Sequence, residues 1–193
     1  MIDLAPFEPL IHTGRIHEFS RRLCRESKLE IAASEDSSFL NDGQVINQSL
    51  VQSLESYLFM QGDSIRGACG VAKKYTRDSY LMVPWFLTDG FEREPENRYD
   101  FLCFSCLLMK KWARGVPSGI SFCNICLDDP RITKWLSRWL GFSISPVPAK
   151  EFRGKRFMWF HGRGGDLSVY SKCRPATCRS KHGFDPGWNP KSI

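Results

Sequence analysis

No stretch of this chain holds the roughly eighteen consecutive apolar residues that a membrane-crossing helix needs, so none is predicted. The opening MIDLAPFEPL has neither a basic region nor a long apolar run, and the C-terminus carries no lipidation signal. The expectation is a soluble, non-secreted protein with no membrane partner. Nothing repeats at a solenoid period. Histidine is sparse: His12, His17, His161 and His182 are scattered, and none pairs at the i, i+4 spacing of a helical metal site.

Apolar material is plentiful. With 42% hydrophobic and 13% aromatic residues in 193, the chain can fill one substantial core, and a single domain is expected. Net charge is +6, and the excess gathers late: Lys150, Arg153, Lys155, Arg156, Arg163, Lys172, Arg174, Arg179, Lys181 and Lys191 face only Glu151, Asp166 and Asp185. Such a region suits a nucleic-acid backbone or an acidic protein surface.

Eight cysteines raise the question of metal or disulfides. Cys103, Cys106, Cys123 and Cys126 spell C-x2-C-x16-C-x2-C, a zinc-ribbon spacing. Their setting argues otherwise. The first pair lies in the helical stretch RYDFLCFSCLLMKKWA, and the second in a strand, where i and i+3 point to opposite faces. The four, together with Cys69, read as small hydrophobes of a reducing compartment, without metal. Cys173 and Cys178 could close a loop or meet a metal with His182.

Local signals order the rest. Residues 1–14 read as an extended, proline-interrupted segment. Arg15 to Ser27 reads as a helix with Ile16, Phe19 and Leu23 on its apolar stripe. Asn41 to Ser56 reads as a second helix, capped by Asn41 or Asp42. Tyr57 to Gln61 and Ser64 to Ala72 form a hairpin through Gly62-Asp63, and Ser79 to Leu87 is a further strand in which Pro84 signals an edge or a bulge. An aromatic-rich helix follows near Arg98 to Arg114.

The most informative stretch is GISFCNICLDDPRITKWLSRWLGF, Gly119 to Phe142. Ile120, Phe122 and Ile125 belong to a buried strand. Asp129 caps a helix with Pro130 at its first position. Ile132, Trp135, Leu136, Trp139 and Leu140 recur at helical spacing, and Gly141 ends the helix before Phe142 opens another extended segment.

This unit resembles the strand-helix-strand of the GNAT acetyltransferase fold, whose helix ends in Leu-Gly-Phe. With LCRESKLEIAAS, NDGQVINQSLVQSLES, YLFMQGDSIRGACGVA and SYLMVPWFLTD upstream, the order of elements from about Arg15 to Phe160 is similar to the GNAT-like proteins of short-tailed bacteriophages, of internal virion or head-associated type. The resemblance implies an α/β (α+β) fold: a mixed central sheet flanked by helices over residues 1–161, with a basic, Gly/Pro-containing arm at 162–193. It also implies a bulge in the central strand.

The family holds the acetyl-coenzyme A pyrophosphate on backbone amides of a loop patterned Gln/Arg-x-x-Gly-x-Gly/Ala. The corresponding TDGFEREPENRY, Thr88 to Tyr99, offers only Gly90, and places Glu92, Glu94 and Glu96 where phosphates would sit. The tyrosine that protonates the leaving thiolate in active members is missing around Trp135, Leu136 and Ser137. These departures lead to a catalytically silent, phage virion-associated structural protein, with no catalytic, cofactor or metal residue. It would act in head or tail-junction assembly, or as an internal virion protein, and would sit in the virion or, during assembly, the host cytoplasm. The implied partners are portal, adaptor or capsid neighbours and possible contacts to the DNA backbone. In the arm, Leu167, Val169, Tyr170, Phe184 and Trp188 would be apolar anchors, with Arg174 and Arg179 on acidic rims. One alternative is an active N-acetyltransferase using acetyl-coenzyme A on a host protein or small molecule. A further alternative is a basic nucleic-acid-binding module, from arginines and lysines interleaved with Phe152, Phe157, Trp159 and Tyr170. Strand alternation explains those aromatics as core. Asp128 and Asp129 read as helix capping rather than a catalytic pair, and the glycines of Gly162-Arg163-Gly164-Gly165 as an exit from the sheet.

Overall fold

A computed structural model of the chain describes residues 2–34 and 40–163; the proposed arm anchors, Arg174, Arg179, Cys173, Cys178 and His182 lie outside the described residues. One seven-stranded sheet organises the fold. Its strands are β1 (Asp3–Pro6), β2 (Glu55–Gln61), β3 (Ser64–Tyr75), β4 (Tyr80–Thr88), β5 (Ser121–Leu127), β6 (Ser143–Phe152) and β7 (Lys155–Arg163), in the spatial order β1-β2-β3-β4-β5-β7-β6. All neighbours are antiparallel except β4 and β5, which run parallel. The helices are α1 (Pro9–Arg22), α2 (Arg25–Ala33), α3 (Asp42–Gln52), α4 (Pro95–Arg114) and α5 (Pro130–Arg138).

Both faces of the sheet are covered. Leu58 and Phe59, adjacent in β2, are each wholly buried because successive strand side chains point to opposite faces. Leu58 joins Ile16, Phe19, Ile46 and Leu50 beneath α1 and α3, whereas Phe59 joins Phe104, Met109 and Trp112 of α4 with Leu136 of α5. Burying one such side chain contributes about 1.5–3 kcal/mol.

Most of the predicted punctuation is present. Asn41 closes a reciprocal capping box with Gln44, each side chain meeting the other's backbone N–H at 3.0 Å. Gly62 turns the β2–β3 hairpin at φ +57°, and Asp129 Oδ1 accepts from Arg131 N at 2.8 Å to cap α5. Gly141 takes φ +76°, and the N–H of Phe142 reaches back to Leu136 O at 3.0 Å, which closes the helix end.

Six expectations need correction. The second helix ends at Gln52 instead of Ser56, because Glu55 and Ser56 already pair with Val71 and Gly70 as the start of β2. Gly162 and Arg163, read as an exit from the sheet, still pair with Phe122 and Ser121 as the end of β7. The first helix begins at Pro9 instead of Arg15, so only residues before it are extended, and those include β1 paired to β2. That helix also stops at Arg22, because the N–H of Cys24 is drawn to Thr88 O (3.0 Å) at the end of β4, and a separate helix restarts at Arg25. Pro84 makes no bulge against β3, since that ladder runs unbroken from Gly67–Thr88 to Tyr75–Tyr80. Asp128, read as a second capping charge, ion-pairs with Arg156 at 2.7 Å.

Pro84 acts on the other side of its strand. It turns its carbonyl to β5, accepting from Asn124 Nδ2 at 3.0 Å, so its nitrogen, which has no hydrogen to donate, faces the same way. The β4–β5 pairing accordingly registers only at Met82–Phe122, and beyond it the two strands part toward their carboxyl ends.

Candidate functional site

The parted ends of β4 and β5 are bridged by α2. On the β4 side the N–H of Thr88 donates to Ser27 Oγ at 3.0 Å, and Cys24 Sγ lies 3.3 Å from Ser27 Oγ and 3.8 Å from Thr88 Oγ1. On the β5 side the N–H of Leu127 donates to Glu30 Oε1 at 3.3 Å. Residues 26, 27 and 30 share a helix face by their spacing, which lets one short helix hold both strand ends.

Next to this bridge is a cavity of about 360 Å³. Phe86 of β4, Phe101 and Leu102 of α4, and Ile132, Trp135 and Trp139 of α5 give it apolar walls. The Trp135 ring meets Phe86 edge-on at 5.1 Å and lies 5.3 Å from Phe101. Cys24, Ser27 and Thr88 supply its polar part, and Glu26, Glu30, Glu92, Arg93, Arg98, Arg131 and Lys134 its charged part. Glu30 is the unusual group. Burial of its carboxyl, assisted by the negative charge of Glu26 and opposed by the Leu127 N–H, pushes it up to about 7. A carboxyl there changes charge near neutral pH, the range best suited to a general base. Glu92 Oε2 is buried and has no hydrogen-bond partner among the described residues.

The loop between β4 and α4 is closed on itself. Gly90, at φ +99°, sends its N–H to Thr88 Oγ1 (3.3 Å), Phe91 to Asp89 Oδ1 (3.0 Å), Arg93 to Gly90 O (3.0 Å) and Glu94 to Phe91 O (3.1 Å). Those amides are spent inside the loop. The acidic crowding read from the sequence is relieved, however: Arg66 of β3 takes Asp89 at 2.6 Å and Glu94 at 2.8 Å, Asn97 also binds Glu94, and Glu92 lies 3.6 Å from Arg93. The Arg66 guanidinium beside Glu94 holds that carboxyl below its ordinary value. Repulsion of phosphates by three bare glutamates therefore does not describe this loop. Glu92 reaches the cavity with Arg93 at its side, and neither Glu94 nor Glu96 lines it.

Other sequence readings resolve as follows. Cys103 and Cys106 lie on α4 and Cys123 and Cys126 on β5, and no three His, Cys, Asp or Glu side chains converge as a metal group among the described residues. Burial raises the thiols of Cys69, Cys123 and Cys126, the last to about 12. Phe157 and Phe160 are buried while Trp159 faces out, 47% exposed, so the aromatics of β7 belong mainly to the core. Ser137 donates to Thr133 O at 2.7 Å and does not line the cavity, and among the described residues no tyrosine lines it. None of the described helices is long and apolar enough to cross a membrane. Glu26, Glu30, Arg93, Arg98 and Arg131 were not singled out from sequence; Glu26 and Glu30 at i, i+4 in LCRESKLE were the available signal.

No family model matches the sequence, and no curated protein matches it. Solved structures do. A ribosomal L7/L12 alpha-N-protein acetyltransferase, RimL, in complex with coenzyme A, is similar at 12% identity and a TM-score of 0.57, over 86% of this chain and 96% of that one. An acetyltransferase of the GNAT family from Streptococcus pneumoniae gives 11% and 0.58 over 84% and 99%. An acetyl transferase from Salmonella typhimurium, which modifies the N-terminal serine of the 50S ribosomal subunit protein L7/L12, gives 14% and 0.53 over 84% and 94%. The fold is the GNAT fold. These likenesses overturn the reading of a silent virion structural protein: the structures that share the fold are acetyltransferases, and no observation ties the chain to a phage particle.

Proposed function

We propose that the protein is an N-acyltransferase that moves an acetyl group from acetyl-coenzyme A to an amine. The observation that carries this reading is the cavity at the parted ends of β4 and β5, apolar along its walls, with Arg93, Arg98, Arg131 and Lys134 outnumbering Glu26, Glu30 and Glu92 in its lining and the Glu30 carboxyl pushed up to about 7. The residues present fit the donor. Phe86, Phe101, Ile132 and Trp135 suit an apolar arm, and Arg93, Arg98, Arg131 and Lys134 suit its phosphates. Because the loop amides are engaged, side chains take over the anion contacts.

When bound, the donor supplies a thioester, an acyl carbonyl already activated toward amines. The chain's own residues would do the rest. Glu30 receives the proton of the attacking amine at its carboxylate, which the Leu127 N–H keeps oriented. Glu92 gives the cavity a second carboxylate, whose unmet Oε2 can accept from an ammonium or amine N–H. The leaving group is a thiolate, a far weaker base than the nitrogen that displaces it, so it departs without a dedicated acid and takes its proton from solvent; the missing tyrosine does not forbid transfer.

Titration calorimetry with acetyl-coenzyme A, followed by thiol release across a panel of amines and N-terminal peptides, tests the reading. Saturable micromolar binding with amine-dependent thiol release is expected. Absence of both would overturn it.

A further inference from the structure

Two arginines from opposite sides of the parted strands converge on one carboxylate. Arg93, in the loop after β4, donates from Nη2 to Glu26 Oε2, while Arg131, in the first turn of α5 after β5, donates from Nη2 to Glu26 Oε1 at 2.9 Å. Glu26 is the more sequestered partner, its side chain 17% exposed against 44% for Arg93 and 60% for Arg131. One N–H from each of two guanidinium groups on the two oxygens of one anion is a charge-assisted pairing that phosphate oxygens also accept.

We propose that Arg93 and Arg131 form a subsite for a multiply charged phosphate group, and that Glu26 occupies it as an internal stand-in until such a ligand displaces it. The subsite deepens the acyl-transfer reading, since the phosphates of its donor are the natural ligand. Three features favour exchange over a permanent brace. The arginines are reachable from solvent. Asp129 keeps Arg131 oriented after release, through Nε at 3.1 Å and Nη2 at 2.9 Å. Glu26 lies in the first turn of α2, where the helix N-terminus stabilises its charge whether or not it is paired. A single negative charge merely replaces Glu26 with its equal. A pyrophosphate offers more charge and more acceptor oxygens, so the stand-in filters against singly charged anions.

The test uses inorganic pyrophosphate as the probe, with coenzyme A alongside, on the full chain. Glu26→Gln keeps the shape and removes the competing charge; it should bind pyrophosphate roughly tenfold more tightly than wild type, the equivalent of losing two partly exposed ion pairs. Arg131→Gln should weaken binding severalfold in wild type and cancel the gain in the double variant. Thermal melts check that each variant folds, and Arg131→Gln in the wild-type background decides the matter if Glu26→Gln does not. Equal affinity of Glu26→Gln and wild type, or indifference to Arg131→Gln, overturns the proposal. The two readings fail separately. If the pyrophosphate pattern holds without acyl transfer, only the enzymatic reading falls; if transfer occurs and the pattern is absent, only the stand-in falls.

Discussion

Replacing Glu30 with glutamine should make the protein more stable and less active, and the gain in stability should depend on pH. The carboxyl ordinarily titrates near 4.5 and is pushed to about 7 in the folded chain, with burial as the leading cause. Between those values the folded state holds a proton that the unfolded state has lost, so unfolding free energy falls as pH rises, by about 1.4 kcal/mol per unit. The loss is complete once pH passes the folded value, reaching about 3 kcal/mol, and stability is flat beyond. That figure is an upper bound, because the residue as a whole is only half-buried and the cavity admits water to part of it. Glutamine carries no such cost. Urea unfolding should therefore give equal stabilities at pH 4.5 and a variant more stable by up to about 3 kcal/mol at pH 8, raising its melting temperature by roughly 6–12 °C. Acyl transfer by the same variant should fall about 10²–10⁴-fold, as expected for removal of a general base. A stability difference that ignores pH would refute the assigned burial. Full activity in the variant would remove Glu30 from the chemistry.

Three further outcomes follow from packing and exposure. Leu136→Ala should cost about 2–5 kcal/mol in urea unfolding, since Leu136 is 2% exposed in the core between α4, α5 and the sheet. Gly67→Ala should cost about 1–3 kcal/mol, because the new Cβ would stand 2.9 Å from Phe59 Cδ2, 3.0 Å from Phe91 Cε1 and 3.1 Å from Leu87 O, and crystallography of the variant should find both rings displaced. In a background with Cys173 and Cys178 replaced by serine, native thiol titration should find Cys24 and the half-buried Cys123 reactive, while Cys69, Cys103, Cys106 and Cys126 react only on unfolding; coenzyme A should protect Cys24 alone, because among the described cysteines it alone lines the cavity.

The fold was legible where structure is set by near neighbours in the chain. Asp129-Pro130 and Gly141 mark the two ends of α5 through contacts within a few residues, Asn41 and Gln44 cap α3 reciprocally, and Gly62 sits at the tip of its hairpin. It was illegible where a distant partner decides. Nothing local stops a helix through Leu23 and Cys24; the break is imposed by Thr88 O, which claims the Cys24 N–H from the end of β4. Pro84 was legible as an interruption, but which ladder it interrupts depends on which strand lies beyond it. β1 was hidden for the same reason, since its four residues become a strand only by pairing with β2.

The site was misread because a motif was taken for the chemistry it usually performs. Glu92, Glu94 and Glu96 look repulsive in sequence, since Arg66 is far upstream, yet on the folded sheet Arg66 lies beside Glu94 and Asp89 and takes up both. The backbone amides that a glycine-rich loop would present are turned inward here, and that alone would argue against a phosphate ligand if amides were the only donors available. Arginines from the loop and from α5 stand at the same opening, and their guanidinium groups can meet phosphate oxygens without backbone help. What makes the exchange workable is α2. By holding Thr88 through Ser27, Leu127 through Glu30, and both arginines through Glu26, one nine-residue helix ties together the two strand ends, the Glu30 carboxyl and the paired arginines. A substitution on that face should therefore disturb binding and proton transfer jointly, whereas one on the outward face of the same helix should disturb neither.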